Sequence, residues 1–374
     1  MPASTSVSAA TWTRSSASAG LRVLYFGTYE RAYPRNAQVI SCLRKAGVEV
    51  EERHAPVWDG HEHKWAAGPV SAFRLARAQA RLLLRRPDTE FDVVIVGYPG
   101  HLDLPAARRV ARGKPVVFNP LVSLVDTLVD DRGRFRRRSL PGRTLAAIDG
   151  RALRAADLVV ADTEANADDL ARRAHLPHRK VAVCFVGAEE RVFRPGWERS
   201  ETFTALFVGK LIPLHGLETV LEAARLVPET TFRVIGSGQE EAALADRPAN
   251  VKWVPWVEYE GLTNELHAAG CALGIFGTSA KAGRVIPNKV FQALACGTPV
   301  VTADTRAARE LLADGVSALL VPPGEPEALA AAVRRLAEDG SLAERIAGRG
   351  HAVYREHASE EVLGARWRGL LEAL

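Results

Sequence analysis

Short runs of consecutive apolar residues alternate along the first half of the chain with stretches that carry apolar residues at helical spacing. The runs LRVLYFG (21–27), FDVVIVG (91–97) and KPVVFNP (114–120) are apolar almost throughout, which is typical of strands buried on both faces of a sheet. Helical patterns such as FRLARAQARLLLRR (73–86) lie between such runs. Buried strands that alternate with helices predict a parallel, doubly wound sheet.

The same pattern restarts after a polar segment, RVFRPGWERSET (191–202), which contains proline and glycine as a linker does. A second series of strands begins with FTALFVGK (203–210), and helices follow its last strand. We therefore predict an α/β fold with two Rossmann-like, doubly wound domains that face each other across a cleft. The predicted segments are a disordered tail (1–19), an N-terminal domain (20–195), a C-terminal domain (196–355) and a last helix (356–374).

The composition is that of a globular protein and argues against several other classes. Of the 374 residues 47% are hydrophobic and 25% are charged, and the net charge is +5. This charge suits an anionic small-molecule substrate and is far from that of a nucleic-acid-binding protein. The four cysteines have neither metal-ligand nor redox spacing. No apolar run is long enough for a membrane span or a secretory signal, which predicts a cytoplasmic protein.

The stretch GRVIPNKVFQALACGTPVV (283–301) predicts a loop, a short buried helix, a tight turn and a strand. Pro287 suits the first helical position because it has no N–H to leave unpaired, and Gly297 suits the position after the helix, where φ is positive. The free N–H groups of a helix start favour an anion, and Lys289 adds a positive charge. The predicted anion site consists of Lys289 and the backbone near Ile286, Pro287 and Asn288.

A second cationic position follows the strand that opens the second series, where VGKLIPLHG places Gly209, Lys210 and His215. A lysine at the carboxyl end of a strand would face the cleft and could neutralise a phosphate; a solvated surface lysine is the alternative. A GSG turn (236–238) follows the strand TFRVI. The first strand of the chain leads into GTYERAYPRN rather than GxGxxG, which counts against a nicotinamide-dependent dehydrogenase.

The strand-tip lysine, the GSG turn and the helix start before ACGTPVV, in this order, resemble the nucleotide-sugar domain of glycosyltransferase family 4, which has the GT-B fold. The likeness covers residues 196–355 well. The first domain matches more loosely, through RALRAADLVVADTEANADDL and VGAEERVFRP. The resemblance implies a glycosyltransferase of the GT-B fold whose closing helix, RWRGLLEAL, crosses back onto the first domain.

The resemblance also implies a donor site on the C-terminal domain. Lys210 stands where the family usually has a basic residue for the donor diphosphate. His215 stands where the family has a lysine before glycine, although a neutral imidazole offers only one hydrogen-bond donor. The nucleobase is expected against Trp256 and Val257, with core packing of these side chains as the alternative. The donor-binding residues predicted in this way are Gly209, His215, Gly236, Trp256, Val257, Ile286, Pro287, Asn288 and Gln292.

The chain departs from the family at its two hallmark glutamates, whose positions are occupied by Arg284 and Gln292. In the family, the second glutamate accepts hydrogen bonds from the ribose hydroxyls and the first touches the donor sugar. Gln292 can still accept through its amide oxygen, without charge assistance, whereas Arg284 offers a fork of donors. We therefore predict a catalytic clamp of Lys210, Arg284 and Lys289 that stabilises the leaving diphosphate.

The loops of the first domain are expected to face the acceptor. Asp126 lies near the position where many family members have a histidine or aspartate beside the donor sugar. It is predicted to hold a sugar hydroxyl or to act as a base, with loop capping as the alternative. His61 and His63, in WDGHEHKW, suit stacking on sugar rings and have no third metal ligand nearby. The predicted acceptor-binding residues are Gly27, Thr28, Tyr29, Arg35, Asn36, Asn119 and Ser123.

The resemblance implies a retaining transfer, without a metal or other cofactor, from a nucleoside-diphosphate sugar to a glycan, lipid-linked or small-molecule acceptor. The pair Asp130–Asp131 could suggest a metal site, but a polar loop is the preferred interpretation. Two other functions stay open. One is a binding or regulatory subunit without catalysis, because both glutamates are missing. The other is a non-hydrolysing nucleotide-sugar epimerase, whose acid/base groups the predicted clamp does not supply.

Two segments make the first domain basic, FRLARAQARLLLRR (73–86) and DRGRFRRRSLPGR (131–143). Amphipathic basic helices can lie on anionic lipid, and a solvated face is the alternative. The predicted location is therefore the cytoplasm, with peripheral contact to the inner face of the cell membrane as an open extension. Nucleic acid is not an expected partner.

Overall fold

The computed structural model describes residues 20–31, 33–57, 69–84, 90–200 and 202–374. The predicted tail (1–19) and the segment with His61 and His63 lie outside these residues. In the described part of the chain, strands and helices alternate through two consecutive domains.

The first domain is built on a sheet of six parallel strands in the order β2-β1-β3-β4-β5-β6. Strands β3, β4 and β5 are buried along their whole length, which explains their unbroken apolar runs. The strands are β1 (Arg22–Gly27), β2 (Glu49–His54), β3 (Val93–Val96), β4 (Val116–Phe118), β5 (Leu158–Ala161) and β6 (Val181–Val183). The helices are α1 (Pro34–Lys45), α2 (Pro69–Leu84), α3 (Leu104–Ala111), α4 (Leu140–Ala155) and α5 (Glu164–Ala174).

The second domain repeats this plan with the strand order β12-β11-β10-β7-β8-β9, again all parallel. The chain winds outward from β7 in both directions, and open α/β sheets bind ligands where the winding reverses. The strands are β7 (Thr204–Val208), β8 (Thr231–Ile235), β9 (Val251–Val254), β10 (Cys271–Leu273), β11 (Val300–Ala303) and β12 (Leu319–Val321). The helices are α6 (Leu217–Leu226), α7 (Leu262–Ala268), α8 (Asn288–Cys296), α9 (Pro326–Glu338) and α10 (Gly340–His357). The prediction of two Rossmann-like, doubly wound domains is confirmed.

Two local predictions differ from the structure. Helix α8 begins at Asn288, so Pro287 is its N-cap, with a ψ of 151°, rather than its first helical residue. Proline is tolerated there because the observed φ of −71° is the value that its ring imposes. The pair Asp130–Asp131, predicted to lie in a polar loop, belongs to a π-helical turn, Asp126–Asp131. Gly297 ends α8 with a φ of 77°, as predicted.

The last helix, α11 (Glu360–Glu372), packs on α1 of the first domain. Gly364 permits this contact, because a Cβ there would overlap the carbonyl oxygen of Cys42. Trp367 is buried beside it, and the guanidinium carbon of Arg35 lies 5.9 Å from the centre of the Trp367 ring. Helix α11 therefore ties the end of the second domain to the first domain.

The helices carry charged side chains along their exposed faces. Helix α10 has 18 residues, among them Glu344, Arg345 and Arg349 on its exposed side. None of the helices in the described part of the chain combines the length and the apolar character that crossing a bilayer requires.

Replacing Gly364 with alanine should destabilise the protein, because the added methyl group meets the α1 backbone. Overpacking of this kind costs about 1–3 kcal/mol. The matched control is Gly369→Ala on the same helix, where a Cβ meets no atom within 4 Å. It should raise the free energy of unfolding by about 0.4–1 kcal/mol, because alanine restricts the unfolded chain. Urea denaturation measures both effects, and equal effects would contradict the described packing.

Candidate active site

Glycines bring two backbone turns together at the carboxyl end of the C-terminal sheet. Gly209 follows β7 with a φ of 145°, and Gly236 follows β8 with a φ of 144°, values that glycine adopts far more readily than other residues. A Cβ on Gly236 would overlap the Gly209 carbonyl oxygen, and the Gly209 N–H donates to the Ile235 carbonyl at 2.9 Å. At Gly209 and Gly236 the chain therefore presents backbone, without a side chain, to the cleft.

A cleft with a volume of about 940 Å³ opens at these turns. Trp256 forms part of its wall with an exposed fraction of 66%, and Lys210 contributes a positive charge from the end of β7. Arg132 and Arg134 line the same cleft from the first domain. The structure thus brings together these predicted donor-site residues: Gly209, Lys210, Gly236, Trp256 and Val257.

The ammonium group of Lys289 is enclosed next to Gly209. Its Nζ lies 3.7 Å from the centre of the Phe207 ring and would lie 3.1 Å from a Cβ on Gly209. Part of the Lys289 stem is exposed, but Nζ is shielded from solvent and has no hydrogen-bond partner among the described residues. Burial lowers the pKa of Lys289 well below its ordinary value. An enclosed cation with unused donors is a group that an incoming anion would stabilise.

His215 shares this space with Lys289. Burial, and to a smaller extent the charge of Lys289, lower the pKa of His215 well below its ordinary value, so its imidazole is neutral at pH 7. A neutral imidazole has one N–H to donate. In the described part of the chain its Nδ1 has no hydrogen-bond partner. Contact of His215 with a diphosphate stays a prediction.

Helix α8 begins beside the same corner, since Lys289 in its first turn reaches Gly209. The first N–H groups of a helix have no partner within the helix, and the helix dipole makes this end positive. Pro287 caps the helix without a side-chain hydrogen bond. The arrangement of helix start, lysine and glycine turns has the chemistry of a phosphate-binding site.

The guanidinium group of Arg284 pairs with a carboxylate of the first domain. Its Nη2 donates to Asp126 Oδ1 at 2.6 Å and lies 3.6 Å from Asp169. The Arg284 and Asp126 side chains are 15% and 6% exposed. Arg173 places a second guanidinium 3.4 Å from Asp126. Two residues predicted for separate catalytic roles thus form an interdomain ion pair with each other.

Further contacts hold the two domains together beside this ion pair. The Thr163 hydroxyl donates to the Arg284 carbonyl at 2.5 Å. The N–H groups of Glu164 and Ala165, at the start of α5, donate to the Glu310 carboxylate of the second domain at 2.7 and 2.8 Å. A carboxylate is favoured at a helix N-terminus because of the helix dipole. The loop before α8 is therefore fixed to the first domain through both its backbone and a side chain.

Several residues predicted to bind the acceptor have partners inside the first domain. Arg35 is fully buried, and its Nε donates to Asn119 Oδ1 at 3.0 Å. The amide of Asn36 accepts from the Tyr98 N–H at 2.9 Å and donates to the Tyr98 carbonyl at 2.8 Å. The Tyr29 hydroxyl donates to a carboxylate of β2 at 2.9 Å. Contact of these four side chains with an acceptor stays a prediction, and their observed role is structural.

The other predicted acceptor residues stand at turns next to buried carboxylates. The Thr28 N–H donates to Asp103 at 2.7 Å, and a Cβ on Gly27 would overlap the same carboxylate. The Ser123 hydroxyl donates to Asp149 at 2.5 Å. These contacts shape the loops at the carboxyl end of the N-terminal sheet.

Some residues at the cleft and the domain boundary are not singled out by the sequence pattern. Arg132 and Arg134 belong to the basic segment 131–143. This run of positive charge predicts a basic surface, but it does not predict that these two residues line the cleft. Lys281 is 7% exposed, and its Nζ lies 3.3 Å from the Thr127 hydroxyl across the domain boundary. Tyr259 also lines the cleft, and no local signal marks it apart from its closeness to Trp256 in sequence.

The acidic side chains of this region have cationic partners. Asp130 accepts from Arg137 Nη2 at 2.7 Å. Across the residues that the structure describes, no group of three or more His, Cys, Asp or Glu side chains has the arrangement of a metal site.

Two facing α/β domains with a cleft between them define the GT-B class, and solved structures of that class share this fold. Sucrose-phosphate synthase from Thermosynechococcus elongatus aligns with a TM-score of 0.72 at 16% identity, over 95% of this chain and all of the other. HepE from Anabaena, in complex with UDP and glucose, aligns with a TM-score of 0.68 at 18% identity, over 95% of this chain and all of the HepE chain. The predicted GT-B fold is confirmed.

Residues 202–339 match the family model described as glycosyl transferases group 1. The second domain of this chain is therefore a glycosyltransferase group 1 domain, and the prediction of a glycosyltransferase domain there is confirmed.

Curated relatives have names of the same class. A D-inositol 3-phosphate glycosyltransferase of Nocardioides sp. is 26% identical over 80% of this chain and 71% of its own length. The homologue of that name in Mycobacterium marinum is 30% identical over 56% of this chain and 48% of its own length. LpsE of Rhizobium meliloti, a lipopolysaccharide core biosynthesis glycosyltransferase, is 26% identical over 44% of this chain and 48% of its own length. The chain thus aligns with about half the length of most of these relatives.

Replacing Arg284 with methionine should lower the free energy of unfolding, because Asp126 and Asp169 would stay buried with one guanidinium fewer. Removing one partner of a buried ion pair costs about 3–5 kcal/mol, and the remaining Arg173 places the expected loss near the lower end. The matched control is Arg306→Met, which breaks the exposed interdomain pair between Arg306 and Asp168. This change should have a much smaller effect because solvent screens exposed pairs. Urea denaturation compares them, and similar losses would argue against a buried tie.

Proposed function

We propose that the protein is a retaining glycosyltransferase that moves a sugar from a nucleoside-diphosphate donor to an acceptor hydroxyl without a divalent metal. The observation that carries this proposal is the enclosed ammonium group of Lys289 beside the glycine turns. An anion is the ligand that such a group lacks. The adjoining cleft of about 940 Å³, with the exposed ring of Trp256, has the size and the surface for a nucleotide.

In this proposal the diphosphate lies between Lys210 and Lys289, over the backbone of Gly209 and Gly236. The base lies against Trp256. Among proteins of the same fold, HepE of Anabaena is described in complex with UDP-glucose, which supports a nucleoside-diphosphate donor at the level of the class. The first N–H groups of α8 complete the set of donors around the phosphates.

The chemistry is electrostatic. Breaking the bond between the sugar and the phosphate leaves the bonding electrons, and so a negative charge, on the diphosphate. Lys210, Lys289 and the helix N–H groups would stabilise this charge as it develops, and losing one preorganised donor raises such a barrier by about 2.7–4 kcal/mol. The acceptor hydroxyl passes its proton to a donor phosphate oxygen as it attacks. Retention of configuration is supported by the resemblance to family 4.

The ion pair between Arg284 and Asp126 limits what either residue does in this reaction. The Asp126 carboxylate is bonded to Arg284 and approached by Arg173, so it can act as a base only when the pair opens. Arg284 likewise reaches a diphosphate only after leaving Asp126. We therefore propose that Lys210 and Lys289 provide most of the positive charge of the clamp. While Arg284 is paired with Asp126, its role is to fix the loop before α8.

The acceptor would enter from the side of the first domain, where Arg132 and Arg134 line the cleft. Two arginines suit an acceptor that carries a phosphate or carboxylate group. The names of the relatives include D-inositol 3-phosphate, which is a phosphate ester, and the lipopolysaccharide core. An anionic acceptor is the class that we propose for this chain.

Peripheral contact with a membrane is the second part of the proposal on the acceptor side. Helix α2 carries exposed arginines, and at its end Leu83 and Leu84 are 43% and 83% exposed. A basic helix with exposed leucines suits a surface of anionic lipid. Such contact would bring the cleft near a lipid-linked acceptor.

The activity test uses UDP-, GDP- and ADP-sugars with the purified chain and measures released sugar and nucleoside diphosphate, with and without EDTA. Slow donor hydrolysis that EDTA does not inhibit supports the proposal. The anomeric configuration of a transfer product, read by NMR, decides between retention and inversion. Donor binding without turnover on a panel of acceptors would instead favour a binding subunit, which the closed Arg284–Asp126 pair makes the second candidate. Interconversion of donor sugars would favour an epimerase.

Replacing Lys289 with methionine should change binding and stability in opposite directions. UDP, GDP and ADP should all bind more weakly because the cation is lost. The free energy of unfolding should rise, because the variant no longer buries an ammonium group that has no hydrogen-bond partner among the described residues. The control is Lys252→Met on β9, an exposed lysine whose replacement should leave both quantities unchanged. Calorimetric titration and urea denaturation measure them, and unchanged nucleotide binding would contradict the proposed role of Lys289.

The lowered pKa of Lys289 also predicts how stability depends on pH. Between its folded-state pKa and the ordinary value of 10.5, the unfolded chain binds a proton that the folded protein lacks, so stability rises with pH in this window. Below the window the full penalty for the buried charge is present. The stability advantage of Lys289→Met over the wild type should therefore be largest at low pH and shrink toward pH 10.5. Denaturation curves across this range test the trend, which a constant advantage would refute.

A further inference from the structure

The π-helical turn Asp126–Asp131 brings Arg132 from the first domain to the wall of the cleft. Arg132 caps the end of this turn, and its N–H donates to the Thr127 carbonyl at 3.1 Å. Its side chain lines the same cavity as Gly209 and Lys210 of the second domain. A guanidinium group of the first domain therefore lies at the cleft into which the glycine turns open.

The carboxylates of this turn have other cationic partners. Asp126 accepts from Arg284 at 2.6 Å, and Asp130 accepts from Arg137 at 2.7 Å. The Nε of Arg132, by contrast, is shielded from solvent and has no hydrogen-bond partner among the described residues. A half-buried guanidinium with an unsatisfied donor is stabilised most by an anionic partner. Arg132 is therefore a candidate ligand for an anion in the cleft.

The second domain holds the turn that ends at Arg132. The Lys281 Nζ donates to the Thr127 hydroxyl at 3.3 Å, and both side chains are buried. Thr127 thus accepts from Lys281 through its side chain and from the Arg132 N–H through its carbonyl. Arg284, which follows Lys281 closely in sequence, bonds to the adjacent Asp126. The position of Arg132 is therefore coupled to the loop before α8.

We propose that Arg132 is a catalytic residue that binds the terminal phosphate of the donor, which is the phosphate bonded to the sugar. Thr127 is a positioning residue that couples Arg132 to the second domain. This inference rests on the proposed function, because it needs a nucleoside diphosphate in the cleft. With the base against Trp256 and the acceptor on the side of the first domain, the terminal phosphate lies toward the first domain. A guanidinium there would stabilise the charge that this phosphate gains when the sugar bond breaks.

Arg132 would fill the place in the diphosphate clamp that Arg284 leaves. Arg284 is engaged in the interdomain ion pair and does not reach a diphosphate in that state. Lys210 and Lys289 provide two positive charges, and Arg132 adds a third from the opposite domain. Arg134 lines the same cleft with an exposed side chain and remains the arginine for an anionic acceptor.

The test compares a nucleoside diphosphate with its monophosphate, a difference that a purely structural role of Arg132 would not change. The probes are the tightest-binding of UDP, GDP and ADP and the corresponding monophosphate, titrated calorimetrically into the full chain. Arg132→Met should weaken diphosphate binding about tenfold to 100-fold, the range for a hydrogen bond to a charged group. Monophosphate binding should change by less than about twofold, because the monophosphate lacks the terminal phosphate.

Two further measurements examine the catalytic part of the proposal. The rate of donor hydrolysis at saturating donor should fall in Arg132→Met, because the charge on the terminal phosphate grows as the bond breaks. Arg132→Lys should recover part of both losses, since lysine keeps the charge but not the planar fork of donors. The control is Arg138→Met, an exposed side chain of the same basic segment that is not among the described residues lining the cleft. It should leave both affinities and the hydrolysis rate unchanged.

A double-mutant cycle tests the positioning role of Thr127. Thr127→Val removes the hydroxyl that Lys281 contacts and keeps the size of the side chain. It should lower the ratio of diphosphate to monophosphate affinity by a smaller factor than Arg132→Met does. In the Arg132→Met background it should lower this ratio no further, because Thr127 acts through Arg132.

The outcomes separate this inference from the proposed function. An unchanged ratio in Arg132→Met, or equal losses for diphosphate and monophosphate, would overturn the phosphate contact and leave the proposed function standing. An unchanged hydrolysis rate would overturn the catalytic role. A loss in Thr127→Val that is the same with and without Arg132 would overturn the positioning role. Failure of the wild type to bind any of UDP, GDP and ADP would overturn the proposed function and this inference with it. Thermal melting of each variant confirms that the compared proteins are folded.

Discussion

The buried ion pair between Arg284 and Asp126 is the contact on which the shape of the site depends. Parallel sheets end in polar turns at their carboxyl edges, and a charged side chain that is buried between two such edges needs a matching opposite charge. Arg284 and Asp126 provide that match at 2.6 Å, and the Glu310 carboxylate adds a second tie at the start of α5. Since the Arg284 loop leads into α8, this tie also positions the helix start at the donor corner.

The proposed donor corner contains groups that destabilise the ligand-free protein. Among the described residues, the enclosed ammonium of Lys289 has only an aromatic ring against it and no counter-charge, and a neutral histidine stands alongside. Such a corner is less stable than an apolar one of the same volume, because the cation has been removed from water. In the proposed function a diphosphate supplies the missing charge and compensates this loss. Stability and binding therefore place opposite demands on one side chain.

One of the two positions where the chain differs from family 4 has a structural explanation. At Arg284 the carboxylate of the family is replaced by a cation, and the first domain supplies Asp126 as its partner. A negative charge is therefore present beside this position, but it comes from a distant segment of the chain.

Local information in the chain was sufficient for the fold and for the proposed donor corner. Unbroken apolar runs determine buried parallel strands, and glycines at strand ends determine the turns. Lys210 comes directly after such a turn, and Lys289 lies in the first turn of the helix that starts after Pro287. These features depend on neighbours a few residues away, which the printed sequence displays. The pairing of Arg284 with Asp126 and the internal partners of Arg35 and Asn36 were decided only by the tertiary structure. Their partners are far apart in sequence. The charge of a side chain indicates which kind of partner would stabilise it, but it does not indicate which segment of the chain provides that partner.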